Sequence, residues 1–516
     1  MSRFYVTTPL YYVNDKPHLG TAYSTVTADV LARYHRLFGD ETLFLTGVDE
    51  HGQKIQQAAE KRGKSPQEHC DELAETFKNV WRDFDIQYDI FFRTTADFHV
   101  AAVQKALQEL FDKGDIYANT YEGWYCVSEE IFYTEKELVD GKTPTGKEVA
   151  RISEKNYFFR MSKYQTRLVD YINTHPEFIR PENRKNEVLG FLRQPLADLC
   201  ISRPKSRLSW GVEIPFDHDY VTYVWFDALL NYATGVGLYQ PVRMDEFHKW
   251  WHETGANHLI GKDILITHAV YWTTMLLAMG VPLPKTIFAH GWVLNRDNEK
   301  MSKSKGSVMD PKEMIGFVGV DALRYFLVRD IHLGNDAPIS HELIMNRINN
   351  DLANNLGNLL SRTTTLIDKF FGGMSPTFQS KVADADPMSR ELIEHATSLA
   401  AKVKSLIEDF QPSLALENVI ELLNETNRFL EAKTPWKTAK ADPAAAGQHL
   451  YMAVEILRIT GTLLSPVMPA KCRELLKTIG VKSLAWESLS QWAVTADQTP
   501  IAKAPPLFPR IDLGLT

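Results

Sequence analysis

The chain has 516 residues, 44% of them hydrophobic and 24% charged, with a formal net charge of −8. That length accommodates about three domains, and the composition is ordinary for a folded globular chain, which excludes a disordered or low-complexity protein. The negative balance excludes a nucleic-acid partner held by overall charge, so any phosphate contacts belong to local patches.

Residues 4–12, FYVTTPLYY, are aromatic and β-branched and read as a strand. NDKP then supplies a turn. Over residues 19–38 Ala22, Val26, Val30, Tyr34 and Leu37 recur at helical spacing, and Gly39 ends the pattern. ETLFLTGV is a second strand and QKIQQAAEKRG a second helix, a βαβ unit that predicts a parallel sheet with right-handed crossovers. Near residue 115 the alternation breaks into short strand-like pieces (YEGWYCV, YFFRMS) and turn signals (DGKTPTG, HPEFIRPEN), which read as an inserted subdomain. DYVTYVWFDALL, NHLIGKDILITHAV and KTIFAHGWVL resume the sheet pattern, each a strand feeding a turn or helix. After about residue 340 long amphipathic helices replace strands, as in a helical bundle, and the Pro-rich end reads as extended. The expected organisation is a Rossmann-like α/β catalytic domain in two halves, 1–115 and 216–295, an inserted subdomain 116–215, a connection 296–345 and a helical domain 346–516.

Four cysteines, Cys70, Cys126, Cys200 and Cys472, include no CxxC pair, so neither a disulfide framework nor a zinc knuckle is expected. The N-terminus lacks a signal-peptide cleavage pattern, and no run reaches the ~18 apolar residues of a membrane span. A reduced, soluble, cytoplasmic protein without a membrane partner is expected.

His18, Leu19 and Gly20 sit where the first strand turns into the first helix, the place that faces the ligand crevice of an open parallel sheet. A helix start there offers N–H groups and partial positive charge to an anion; the bland alternative is a turn histidine. Asp49 ends the second strand at the same edge and serves equally as a substrate-ammonium partner or a helix N-cap. Trp225 and Asp227, then Gly261, Lys262 and Asp263, reach that edge later, with Asp263 a candidate for ribose hydroxyls. His268 and Trp272 share a helix face, and Tyr12, Trp225, Tyr232 and Trp272 are many aromatics for one crevice, although core packing explains most aromatics at such spacing. His248 and His252 lack the glutamate of HExxH and read as packing or surface residues. EKMSKSKG, residues 299–306, carries Lys300, Lys303 and Lys305 on a glycine-ended loop with no apolar stripe. Such lysines can close on a departing pyrophosphate, which is binding of the transition state.

Together these residues resemble the class I aminoacyl-tRNA synthetases. His18-Leu19-Gly20-Thr21 looks like the HIGH motif, with Thr21 in place of its last histidine, and Lys300-Met301-Ser302-Lys303-Ser304 matches KMSKS at every position. Within the class, PLYYVNDKPHLG, VDEHG, VWFDALLNY and KDILITHAVYW resemble the methionyl-tRNA synthetase family. The resemblance implies His18, Thr21, Lys300 and Lys303 as catalytic residues, and an ATP site of His18, Gly20, Gly261, Asp263, Trp292, Val293, Lys300 and Lys303. It implies a methionine site of Leu10, Tyr12, Asp49, Trp225, Ala228, Tyr232, Ile264 and His268, and anticodon contacts through Asn358, Arg362 and Trp436. ATP with Mg2+ is the implied cofactor, and L-methionine and tRNA(Met) the implied partners. Many relatives bind zinc through cysteine knuckles; here Cys126 stands alone, with Glu129 where a second cysteine would complete the pair, so no structural zinc is expected. The chain ends soon after the bundle, without the module that makes some relatives dimeric, so a monomer is expected. The alternatives are another class I ligase, for leucine, isoleucine, valine or cysteine, or a non-catalytic tRNA-binding relative.

Overall fold

Strand β1, Arg3–Tyr12, leads through the turn at residues 13–18 into helix α1, Leu19–Leu37, and Gly39 ends that helix in the left-handed region at φ +87°. β2 (Glu41–Asp49), α2 (Gln53–Lys61), α3 (Pro66–Asp83) and β3 (Ile90–Arg93) complete the first half. The computed structural model describes residues 2–126, 131–133, 135–296, 298–299, 309–482 and 485–512. After α4 (Asp97–Asp112) come β4 (Ile116–Cys126), β5 (Ile131–Tyr133) and β6 (Ala150–Phe159), then α5 (Gln165–Thr174), β7 (Ile179–Arg180), α6 (Glu182–Phe191) and β8 (Leu199–Cys200). β9 (Ser202–Pro204), β10 (Tyr220–Thr222), α7 (Val224–Thr234), β11 (Ala256–Gly261) and β12 (Thr286–His290) follow.

The main sheet has the order β3-β2-β1-β11-β12-β7, with every neighbouring pair parallel. From β1 the chain steps outward to β2 and β3, then returns with β11 on the other side of β1. The strand order therefore reverses between β1 and β11, and a crevice opens beyond their carboxyl ends. β4, β5, β6 and β8 form a separate antiparallel sheet.

Two details depart from the sequence reading. DYVTYVWFDALL contributes no strand to the main sheet: β10 pairs antiparallel with β9, and the rest is α7. Phe226, Leu229, Leu230 and Ala233 are all buried at helical spacing, so the apolar run satisfies a helix rather than a strand. Conversely β7, within the 116–215 stretch, is the edge strand beside β12.

One apolar layer packs Val6, Val26 and Phe44 on one face of the sheet and continues without a break through Leu323 into Leu392 and Leu450 of the helical half. The other face packs Leu45, Ala106, Leu229 and Ile260. The helices Asn358–Phe371, Pro387–Glu408, Pro412–Lys433, Pro443–Leu464 and Pro469–Thr478 thus share a core with the sheet. Completely buried Arg324 crosses that junction, donating to the Asp29 carboxylate of α1 at 2.6 Å and to the carbonyls of Phe84, Pro466 and Val467.

Candidate active site

A cleft of about 560 Å³ opens at the point where the strand order reverses. Its shape starts with Pro9, which has no N–H to continue the ladder. The pairing of β1 with β2 slips between Thr7 and Leu10, leaving Thr8 and Pro9 opposite Thr46. The slip inverts the alternation: Phe4 and Val6 before it, and Tyr11 and Val13 after it, face the same core. Leu10 and Tyr12 are thereby released to line the cleft, beside Asp49 at the end of β2.

His18 is the N-cap of α1. Its Nδ1 accepts from the N–H of Gly20 at 3.1 Å and of Thr21 at 3.4 Å. An accepting Nδ1 carries no proton, so the neutral ring holds its hydrogen on Nε2. The Thr21 hydroxyl closes the reciprocal half, accepting from His18 N–H at 3.0 Å and donating to His18 O at 2.6 Å. The helix start therefore does not offer an anion the bare amides expected from the sequence; two of them are held by the imidazole. A Cβ on Gly20 would stand 3.0 Å from His18 Cε1, so the glycine makes room for this ring.

Across the cleft β11 ends in Gly261, where a Cβ would lie 2.6 Å from Asp263 Oδ1. The missing side chain lets the Asp263 carboxylate fold back against the turn. Lys262 Nζ lies 4.1 Å from the Trp292 ring centre and 2.7 Å from Asp336, which also accepts from Trp292 N–H. Asp336 thus locks the turn after β11 to the one after β12. His290 ends β12; its Nδ1–H donates to Gly291 O and its Nε2 accepts from Ser24 of α1 at 2.7 Å.

The remaining wall is aromatic. His268 Nδ1 meets the Ile264 carbonyl at 2.9 Å, and a carbonyl only accepts, so that nitrogen carries the proton. Nε2 then accepts from the Tyr232 hydroxyl at 2.8 Å. Trp272, expected in the cleft, stands one layer behind it. Its Nε1–H donates to His258 Nε2, and the His258 ring packs 4.2 Å from Tyr232. Leu10, Tyr12, Asp49, Trp225, Ala228, Tyr232, Ile264 and His268 line the cleft, as do His18, Gly20, Thr21, Gly261, Asp263, Trp292 and Val293. Lys300 and Lys303 lie outside the described residues; Val293, which precedes them in the chain, lines the cleft. Glu129 also lies outside the described residues, among which no three His, Cys, Asp or Glu side chains gather as a metal site. No described helix is long and apolar enough to cross a membrane.

The buried imidazoles make stability depend on pH. Burial lowers His268 from its ordinary value to about 4 and lowers His258 as well. A folded pKa below the unfolded one means that the unfolded chain binds more protons between about pH 4 and 6.5. Stability present above pH 6.5 is therefore lost as pH falls, by about 1.4 kcal/mol per unit for His268, with His258 acting in the same direction. Urea unfolding at pH 5 is expected at a lower midpoint than at pH 7, and His268→Gln should narrow the gap. A gap of the same size in that variant contradicts the assignment.

Sequence reasoning missed His290, Asn231 and Asp336. Position alone could have found His290, since it ends a parallel strand beside the reversal point. Buried Asn231 faces the cleft from α7 and donates to Ala228 O at 2.6 Å. Asp336 carries no local signal, because its partners are Lys262 and Trp292.

Asn358, Arg362 and Trp436 stand apart in the helical half. Arg362 lies 4.9 Å over the Trp436 ring and pairs with Glu431 at 2.7 Å. Thr434, at φ +43°, turns the chain so that Pro435 starts the short helix carrying Trp436.

The family described as tRNA synthetases class I (M) matches residues 4–151 and 138–364, and the anticodon binding domain of methionyl tRNA ligase matches residues 381–511. A methionine–tRNA ligase of Caldanaerobacter subterraneus subsp. tengcongensis is 45% identical over 515 residues, 99% of this chain and 79% of that one. The one from Clostridium perfringens is 44% identical over 99% of this chain and 78% of its own. The Mycobacterium tuberculosis methionyl-tRNA synthetase in complex with methionyl-adenylate superposes with a TM-score of 0.92 at 37% identity, covering 99% of this chain and all of that one. With identity of this size over 99% of the chain, and both family models matched, the chain belongs to the methionyl-tRNA synthetase family of class I.

Proposed function

We infer that this chain activates L-methionine with ATP and transfers the methionyl group to the 3′ end of tRNA(Met). A methionine carboxylate oxygen attacks Pα of ATP, the bond from Pα to the bridging oxygen breaks, and pyrophosphate leaves. The terminal ribose hydroxyl of the tRNA then attacks the adenylate carbonyl, loses its proton and releases AMP. No protein nucleophile takes part; the work is in-line positioning and charge neutralisation.

The observation that carries this reading is the single cleft in which a carboxylate, an aromatic wall and the His18 cap line one reversal point. In the proposal Asp49 takes the substrate ammonium. Leu10, Tyr12, Trp225, Ala228, Tyr232, Ile264 and His268 enclose the thioether; its polarisable sulfur suits neutral aromatic walls. His18 donates from Nε2 to a phosphate oxygen, Asp263 takes the ribose, and Gly20, Gly261, Trp292 and Val293 give the nucleotide room. Thr21 acts by holding the cap. Magnesium, when bound with ATP, would supply charge neutralisation on the phosphates. The cleft's described carboxylates, Asp15, Asp49 and Asp263, form no metal-holding group, which fits a cation carried in on phosphate oxygens rather than caged by protein. Asn358, Arg362 and Trp436 read the anticodon by edge hydrogen bonds and stacking on the indole. A monomer in the cytoplasm is part of the same proposal, and sedimentation velocity checks the first half of it.

Amino-acid-dependent ATP–pyrophosphate exchange tests the reading. Exchange with methionine alone is expected; exchange only with leucine or cysteine overturns the substrate, and none at all overturns catalysis. Lys303→Ala is expected to lower the adenylation rate far more than it weakens methionine binding, because a clamp on the departing pyrophosphate acts in the transition state. Stopped-flow traces giving equal losses in both would contradict the clamp.

A further inference from the structure

A second concavity, of about 540 Å³, lies where the end of α1 meets the helix Pro469–Thr478 and the residues just after it. That volume is in the range of small-molecule sites, roughly 300–1,000 Å³. Arg33, Arg36, Arg473, Lys477 and Lys482 line it, and no carboxylate does. Arg33 and Arg36 are tied to Asp29 and Asp89, each at 2.7 Å. Among the described residues Arg473, Lys477 and Lys482 have no ion-pair partner, and the neighbouring Glu474 is committed to Lys471. Leu37, Leu476 and Val481 add an apolar surface beside the cations.

We propose that this junction pocket binds a nucleoside polyphosphate, with phosphates on Arg473, Lys477 and Lys482 and the base against the leucines. Arg473, Lys477 and Lys482 are all exposed, so their positive potential faces solvent, where it attracts a polyanion most strongly at low salt. A guanidinium can hold phosphate through two parallel hydrogen bonds, and the apolar side suits a flat ring rather than a bare phosphodiester strand. The pocket is no annex of the cleft: α1 carries His18 at its start and Arg33 and Arg36 near its end, and at about 1.5 Å of rise per residue these lie roughly 22–27 Å from His18 along the axis. Its walls come from both the sheet half and the bundle, so a bound ligand bridges the two.

The test uses the full chain, its cleft filled with excess non-hydrolysable methionyl-adenylate analogue, whose own titration reports separately whether the cleft is the substrate site. Guanosine triphosphate is then titrated calorimetrically. One site per chain is expected, weakening as salt rises and at least tenfold weaker in Arg473→Glu/Lys477→Glu, whose ATP–pyrophosphate exchange stays at the parent level. Arg473→Gln/Lys477→Gln, which removes the charges without reversing them, should show the same loss if the first variant folds poorly. No heat of binding, or equal affinity in parent and neutral variant, overturns the proposal. So does a variant that binds tRNA more weakly while the parent ignores the nucleotide, because the patch is then an RNA contact.

Discussion

Asp49→Ala is expected to lower kcat/KM for methionine activation by roughly 30- to 5,000-fold, the equivalent of about 2–5 kcal/mol for truncating one partner of a buried charge pair. Asp49 is only 5% exposed and stands at the cleft between Tyr12 and the aromatic wall. Methionine's ammonium must leave water to enter the cleft, and without the carboxylate nothing there repays its desolvation. The contact is made in the bound substrate and in the transition state alike, so the loss belongs mainly in KM, in contrast with Lys303→Ala, whose loss belongs in kcat. ATP–pyrophosphate exchange at varied methionine measures both. A KM within a factor of three of the parent would remove Asp49 from the ammonium site and return it to a structural role. Asp49→Asn separates charge from hydrogen bonding, and should recover less than a tenth of the lost activity if charge dominates.

Arg324→Met is expected to cost about 3–5 kcal/mol of stability, because removing one member of a buried pair leaves the other charge uncompensated. Arg324 and Asp29 are both fully buried, and the guanidinium also satisfies the carbonyls of Phe84, Pro466 and Val467. Asp29 keeps Arg33 at 2.7 Å and Gln87 N–H at 2.8 Å, so its own charge is not wholly stranded; the three orphaned carbonyls add to the cost. Urea unfolding followed by tryptophan fluorescence should show the shift. Asp29→Asn/Arg324→Met should cost less than the two single changes added together, since each single variant leaves a partner unpaired. Strict additivity would mean that the two residues act independently, and that this pair does not join the sheet to the bundle.

The difference between these two residues marks how far the sequence could be read. Asp49 was legible because it ends a strand with a clear β pattern, at the edge to which His18 also belongs. Arg324 was not, because its carboxylate partner is 295 residues away and no periodicity links them. The same division runs through the cleft. The resemblance named much of its lining between Leu10 and Val293, whereas His290 is held there by Ser24 of α1, and Asp336, outside the lining, ties the turns after β11 and β12 together. His18 was named as a phosphate donor, but its tautomer follows from two backbone N–H groups that only the folded helix start brings to Nδ1.

By itself the sequence determined the parallel alternation, the helical half and the residue types gathered at one sheet edge, because these depend on short-range periodicity and on motifs a few residues long. Only the tertiary structure decided that β7 joins the main sheet and β10 does not, that Trp272 stands behind the cleft, and that the bundle shares a core with the catalytic half. Each of those outcomes is a competition between alternative burial partners distant in the chain, and a local pattern, which says only that a face is apolar, does not say which partner covers it.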